Sequence, residues 1–168
     1  MTKKLPCAIS KEDFVKLIKN TNKDVHKTAF LLGFGAGMRV SEIIKLEQRD
    51  VNLKEKKIFI RQGKGSKDRI VPTPKGFTIR QFNQLPLKIG VRALEIAFRS
   101  ACKRAGLLEK QPDLHFHSLR HGFASHLVNQ GMDIQRVRTL MGHSNISTTS
   151  VYLQLNPKEA LESYEELF

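Results

Sequence analysis

The sequence predicts a mainly α-helical fold with a small antiparallel β-sheet, an α+β arrangement, and three observations lead to it. Apolar residues recur at helical spacing through most of the chain. One pair of β-rich segments flanks a basic, glycine-containing turn. The length, 168 residues, suits one core and is short for two. Residues 1–168 are therefore read as a single domain.

Ser10-Lys11-Glu12-Asp13 resembles a capping box, and Phe14, Leu17 and Ile18 follow at helical spacing, which predicts a first helix to about Lys19. Residues 23–32 form a second, largely buried helix leading into Gly33-Phe34-Gly35-Ala36-Gly37. Those glycines are spaced like part of a dinucleotide fingerprint, but no strand precedes them and Met38 stands where the last glycine belongs. Close packing or a turn is the better use for them. Residues 39–46 read as a short helix headed by Arg39. Residues 57–61 and 69–71 are the arms of a β-hairpin whose tip is Gln62-Gly63-Lys64-Gly65-Ser66-Lys67-Asp68. The stretch containing Pro72, Pro74, Gly76 and Pro86 is irregular.

Residues 91–105 make a helix with Leu94, Ala97, Phe98 and Ala101 inward, ended by Gly106. Another runs over residues 117–129 with Leu119, Phe123, Ala124 and Leu127 buried, and Gly131 stops it. Asp133 caps a helix over 134–141 that Gly142 terminates. A short helix around 146–155 and an amphipathic one over 157–168 complete the chain. In the latter, Ala160, Leu161, Tyr164, Leu167 and Phe168 form an apolar stripe, so Tyr164 is read as a packing residue.

Charge narrows the function. Lys and Arg number 29 against 16 Asp and Glu, a formal charge of +13, and residues 157–168 are acidic, so the remaining body is more basic still. A polyanionic partner follows, and nucleic acid fits better than a membrane because no basic amphipathic helix carries an aromatic face for insertion. Two cysteines, Cys7 and Cys102, suggest neither a disulfide framework nor a Cys-based zinc site. The apolar run 29–38 is about half of the ~20 residues a membrane span needs. The expected location is the cytoplasm.

One constellation carries chemistry: His117-Ser118-Leu119-Arg120-His121, then Gly142-His143-Ser144, then Ser147-Thr148-Thr149-Ser150-Val151-Tyr152. Breaking a phosphodiester without a metal requires a nucleophile, donors for the non-bridging oxygens and an acid for the leaving oxygen. Arg120, three residues after His117, shares its helical face, and its planar fork suits a phosphate. Tyr152 supplies a phenolic nucleophile, Lys64 at the hairpin tip an acid, and His143 a further donor. The spacing His115-x-His117-x-x-x-His121 also raises a zinc hydrolase, but Ser118 occupies the general-base position and Arg120 between the ligands would repel a cation.

The chain resembles the catalytic domain of tyrosine recombinases, the integrase family that includes the Xer-type enzymes. Gly37-Met38-Arg39-Val40-Ser41-Glu42 is similar to the family's first-arginine motif, and Gly63-Lys64-Gly65-Ser66-Lys67-Asp68-Arg69 to its hairpin-lysine motif. His117-x-x-Arg120-His121, Gly142-His143-Ser144 and Tyr152 after its Ser/Thr run resemble the rest, so the likeness covers nearly the whole chain. It implies the recombinase catalytic-domain fold and strand cutting and rejoining through a covalent 3′-phosphotyrosine, with no metal, ATP or other cofactor. It further implies that Arg39 and Arg120 clamp the scissile phosphate, Lys64 is the general acid, and His117 and His143 assist at the phosphate. Tyr152 is then the nucleophile and Glu42 a support from behind. Lys67 is the rival for the lysine role, and Lys67, Arg69 and His121 are candidate DNA contacts.

The partners implied are double-stranded DNA and further copies of the chain, a tetramer on DNA and a monomer without it. The family's helical DNA-binding domain before the catalytic one is not found, and residues 1–9 read as a linker remnant. Residues 157–168 would dock on a neighbouring subunit or fold back on their own domain. A type IB topoisomerase-like nicking-closing enzyme and a non-catalytic DNA-binding module are the competing functions.

Overall fold

The computed structural model describes residues 7–61, 68–142, 161–162 and 164–165. Its helices are α1 (Lys11–Lys19), α2 (Asp24–Gly35), α3 (Val40–Ile43), α4 (Ile79–Phe82), α5 (Val91–Arg104), α6 (Leu107–Lys110), α7 (His117–Asn129) and α8 (Ile134–Met141). Strands β1 (Val51–Asn52), β2 (Lys57–Ile60) and β3 (Arg69–Pro72) form an antiparallel sheet in that order, with Val51 opposite Ile58, Ile58 opposite Val71, and Ile60 opposite Arg69. The predicted α+β class is the observed one. The hairpin arms stand where they were expected, while the tip 62–67 and the helix expected around 146–155 lie outside the described residues.

Local chemistry sets the element ends. Ser10 Oγ accepts from the Asp13 N–H at 3.1 Å and starts α1, whose Phe14 and Leu17 are buried. Asp133 Oδ1 accepts from the N–H groups of Gln135 at 2.9 Å and Arg136 at 3.4 Å and starts α8. Two differences concern α2 and α3. Helix α2 runs on to Gly35 rather than stopping near Leu32, and α3 ends at Ile43. The first follows from packing: a Cβ on Gly33 would meet Leu119 Cδ1 at 3.0 Å, and one on Gly35 would meet Pro74 Cβ at 2.6 Å. Helix α2 therefore lies too close to the segment after β3 for a side chain at Gly35, and so close to α7 at Gly33 that a side chain there would push Leu119 aside.

Ile9, Phe30, Leu32, Phe98, Leu119 and Phe123 are each at most 2% exposed. Phe30 lies edge-on to Phe98 and Phe116, with ring centroids 5.6 and 5.9 Å away, which joins α2, α5 and the approach to α7 into one core. Burying aromatic residues of this size contributes roughly 1.5–3 kcal/mol each. Ile9 belongs to this core, so the end of the stretch read as a linker is part of the domain.

A second cluster joins Phe123 and Leu127 of α7, Val137, Leu140 and Met141 of α8, and Leu161 and Tyr164. Tyr164, 2% exposed, donates its hydroxyl to Gly35 O at 2.8 Å, and Lys56 pairs with Glu165 at 2.7 Å. The described residues of the acidic tail thus pack on their own chain, and Tyr164 is the packing residue expected of it. Burial raises its phenol above the ordinary range.

Candidate active site

The site forms where the α2–α3 turn, the start of β3, the head of α7 and the end of α8 meet. Gly37 allows the turn: its φ is +62°, and a Cβ there would lie 2.5 Å from Phe123 Cδ1. Arg39 follows two residues on and heads α3. Its N–H donates to Glu42 Oε2 at 2.7 Å and its Nη1 to Glu42 Oε1 at 3.0 Å, while its side chain stays 38% exposed. Glu42 thus fastens the first turn of α3 and aims Arg39 at once.

Arg69 opens β3 and reaches the same carboxylate from the sheet, Nη1 to Oε1 at 2.7 Å and Nη2 to Oε2 at 2.8 Å. Its Nε donates to Leu140 O at 3.1 Å. Burial alone would raise the Glu42 carboxyl, but hydrogen bonds and charge from Arg69, then bonds from the Arg39 main chain and side chain, outweigh it and hold the group below the usual carboxylate range.

Arg120, 2% exposed, is the largest fully buried side chain described. Its Nη1 donates to Gly37 O and its Nη2 to Met141 O. Those acceptors orient it without neutralising it. Burial lowers its pKa to about 9, with repulsion from Arg39 and then Arg69 adding to that and Glu42 opposing it, so it keeps its proton at neutral pH. Leu140 O and Met141 O lie in the last turn of α8, the negative end of that helix, and each accepts from a guanidinium. Among the described residues, three guanidiniums meet here beside one carboxylate, which Arg39 and Arg69 hydrogen-bond while Arg120 is held by main-chain carbonyls. The balance calls for an anion.

His117 stands at the exposed head of α7, its ring edge-on to His121 with centroids 4.8 Å apart. Its pKa falls to about 4, first from desolvation and then from His121, Arg120, His115 and Arg39. His121 is lowered too, by desolvation, His115 and Arg120. Both rings are therefore neutral at pH 7, and an arriving anion would favour their protonated forms. His115 Nδ1 is 2.9 Å from Asp113 O and 3.3 Å from Ser118 Oγ. Among the described residues no three His, Cys, Asp or Glu side chains converge as metal ligands.

Of the residues singled out in the sequence, Arg39, Glu42, Arg69, His117, Arg120 and His121 are described and gather in this region, whereas Lys64, Lys67, His143 and Tyr152 lie outside the described residues. The structure gives Arg69 a different task from the DNA contact expected of it: its side chain is 6% exposed and bound to Glu42 and Leu140 O, so little of it faces a ligand. Sequence reasoning missed the carbonyls of Gly37, Leu140 and Met141 altogether. The glycines at 37 and 142 were the available signal, since each marks a close approach, Gly142 by the Arg69 side chain.

Residues 8–85 and 82–159 match the model of the phage integrase family. The tyrosine recombinase XerA of Pyrococcus horikoshii is 30% identical over 98% of this chain and 62% of its own length. The tyrosine recombinase XerC of Thermodesulfovibrio yellowstonii is 34% identical over 96% and 62%. The chain thus spans about three fifths of the curated relatives it matches. The crystal structure of XerA recombinase superposes with a TM-score of 0.70 at 26% identity, over 98% of this chain and 66% of that one. An integrase from mycobacterium phage Brujita shares the fold, with a TM-score of 0.78 at 23% identity over 100% and 60%. The arginine cluster built on Gly37 and Glu42 thus lies within sequence shared with tyrosine recombinases along nearly the whole chain, which belongs to the phage integrase family.

Proposed function

We propose that this chain is the catalytic domain of a site-specific DNA recombinase. It cuts and rejoins strands through a 3′-phosphotyrosine formed by Tyr152. The observation that carries the proposal is the convergence of Arg39, Arg120 and His117, close enough that Arg39 opposes the charge on Arg120 and both arginines oppose protonation of His117, with Arg39 held by the Glu42 carboxylate. A phosphodiester supplies the missing anion. The charge that grows on its non-bridging oxygens during attack then meets donors already fixed by Gly37 O, Met141 O and Glu42.

In the proposed step Tyr152 Oη gives its proton to the neutral His117 ring and bonds to phosphorus, the bond from phosphorus to the 5′ oxygen breaks, and Lys64 delivers a proton to the departing oxygen. His117 and His143 assist at the phosphate, and Lys67 and His121 are candidate DNA contacts. The phosphotyrosine preserves the bond energy, so a 5′-hydroxyl can reverse the step without ATP or a metal. Duplex DNA is the partner, with four copies assembling on it and single copies in its absence. Among the described residues no helix is long and apolar enough to cross a membrane.

A duplex nicked next to the cleavage point, which loses its leaving strand on cutting, tests this reading. Wild type should give a protein–DNA adduct stable to denaturant, and Tyr152→Phe none. Duplex binding with no adduct from wild type would replace the recombinase reading with a DNA-binding module.

A further inference from the structure

Arg69 makes three side-chain hydrogen bonds at the site, yet it has no place in the chemistry above. Its guanidinium ties three separate segments: it leaves from β3, grips both oxygens of Glu42 at 2.7 and 2.8 Å, and caps Leu140 O at 3.1 Å. Its stem packs on the end of α8, where a Cβ on Gly142 would lie 2.5 Å from Arg69 Cδ. At 6% exposure it offers almost nothing to a ligand.

The consequence falls on Arg39. Glu42 has two oxygens, and a carboxylate flanked by one arginine takes it in the fork-to-fork geometry that uses two donors. Arg69 occupies that geometry, and Arg39 is left with one side-chain bond, Nη1 to Oε1 at 3.0 Å, and with 38% of its side chain open. We infer that Arg69 is a positioning residue: by saturating Glu42 it keeps Arg39 from folding into a closed ion pair, and by capping α8 it fixes the carbonyl next to the one that orients Arg120. It acts on the phosphate only through Arg39 and Arg120. It sets how many donors Arg39 presents.

The inference rests on the reading that Arg39 and Arg120 face the scissile phosphate, and it is tested with Arg69→Gln on the nicked duplex. Two versions are compared, one with the natural phosphate at the cleavage point and one with a neutral methylphosphonate, which has less charge for an arginine clamp to stabilise. We expect adduct formation on the natural linkage to slow by about 10²-fold, the effect of losing one transition-state donor, with duplex affinity within about threefold of wild type. On the methylphosphonate the penalty should shrink at least tenfold, and in an Arg39→Ala background Arg69→Gln should add little.

A rate within threefold of wild type overturns the inference. So does an equal penalty on both linkages, the mark of a residue that only supports the fold. If Arg69→Gln does not fold, Arg69→Lys, which keeps one bond to Glu42, takes its place with the same dependence on linkage expected. Wild type giving no adduct on the natural linkage would remove the recombinase reading and this inference together, whereas a wild-type adduct with Arg69 variants unaffected removes the positioning role alone.

Discussion

Gly37→Ala should cost far more than its one added methyl suggests. Two terms add at this position. A residue with a side chain pays about 1–2 kcal/mol to hold a left-handed backbone, and φ here is +62°. The new Cβ would also lie 2.5 Å from Cδ1 of Phe123, a ring with 0% exposure, and overpacking of this kind costs about 1–3 kcal/mol. The expected loss is therefore about 2–5 kcal/mol.

Gly106→Ala is the internal control. Its φ is +68°, but a Cβ there meets nothing within 4 Å, so only the backbone term of about 1–2 kcal/mol applies. Urea unfolding of both variants at pH 7.5, compared through midpoints at unchanged slope, reads the difference directly. Trimming the obstacle should also help: Phe123→Leu ought to destabilise the Gly37→Ala chain less than it destabilises wild type. Should Gly37→Ala prove no worse than Gly106→Ala, the close contact between the turn and α7 is wrong. The account of how Arg120 is aimed at Gly37 O would fall with it.

Other outcomes follow from the same geometry. His117 holds its proton only near pH 4 in the folded chain against 6.5 unfolded; between those values the unfolded state binds more protons, so stability should fall as pH drops from about 6.5 toward 4. Urea midpoints at pH 7.5, 5.5 and 4.5 should follow that fall, and His117→Gln should flatten it. Tyr164→Phe loses the bond to Gly35 O and about 0.5–1.5 kcal/mol by urea unfolding, but should still form adduct on the nicked duplex, unlike Tyr152→Phe. Arg120→Lys cannot donate to Gly37 O and Met141 O through a planar fork, and adduct formation should fall by about 10²-fold or more in gel assays. Duplex affinity should weaken steeply with salt, because phosphate contacts from a chain of charge +13 dominate it; a flat response in a titration from 50 to 200 mM salt would contradict this.

The elements that were legible in the sequence share one property: their ends are written in local chemistry. Ser10 and Asp133 announce α1 and α8, and Gly106, Gly131 and Gly142 close α5, α7 and α8. Strand β1, with two residues, and helices α4 and α6, with four each, are shorter than the window over which a period can be seen, so they were not anticipated. The overrun of α2 through Gly33 and Gly35 had the opposite cause. Glycine disfavours a helix locally, and the closeness of Leu119 and Pro74, remote in sequence, overrides that preference.

The site divides the same way. Arg39, His117 and Arg120 could be picked out by residue type and spacing. That Arg120 would be 2% exposed and oriented by two main-chain carbonyls could not, because a buried arginine and a surface one are written with the same letter. Nor could the role of Arg69, whose partner Glu42 lies 27 residues away and on another element.

Ile9 carries a mechanical implication. Its N–H bonds to Ser118 O at 3.3 Å, and its own carbonyl presses on Gly122 so closely that no side chain fits there. Ser118 and Gly122 straddle Arg120 by two residues on either side. Any displacement of Ile9 would thus press on α7 at the turn that holds its buried arginine. The seating of the chain just ahead of α1 and the seating of Arg120 are therefore one packing arrangement, with Ile9 fitted against the turn of α7 that carries the arginine.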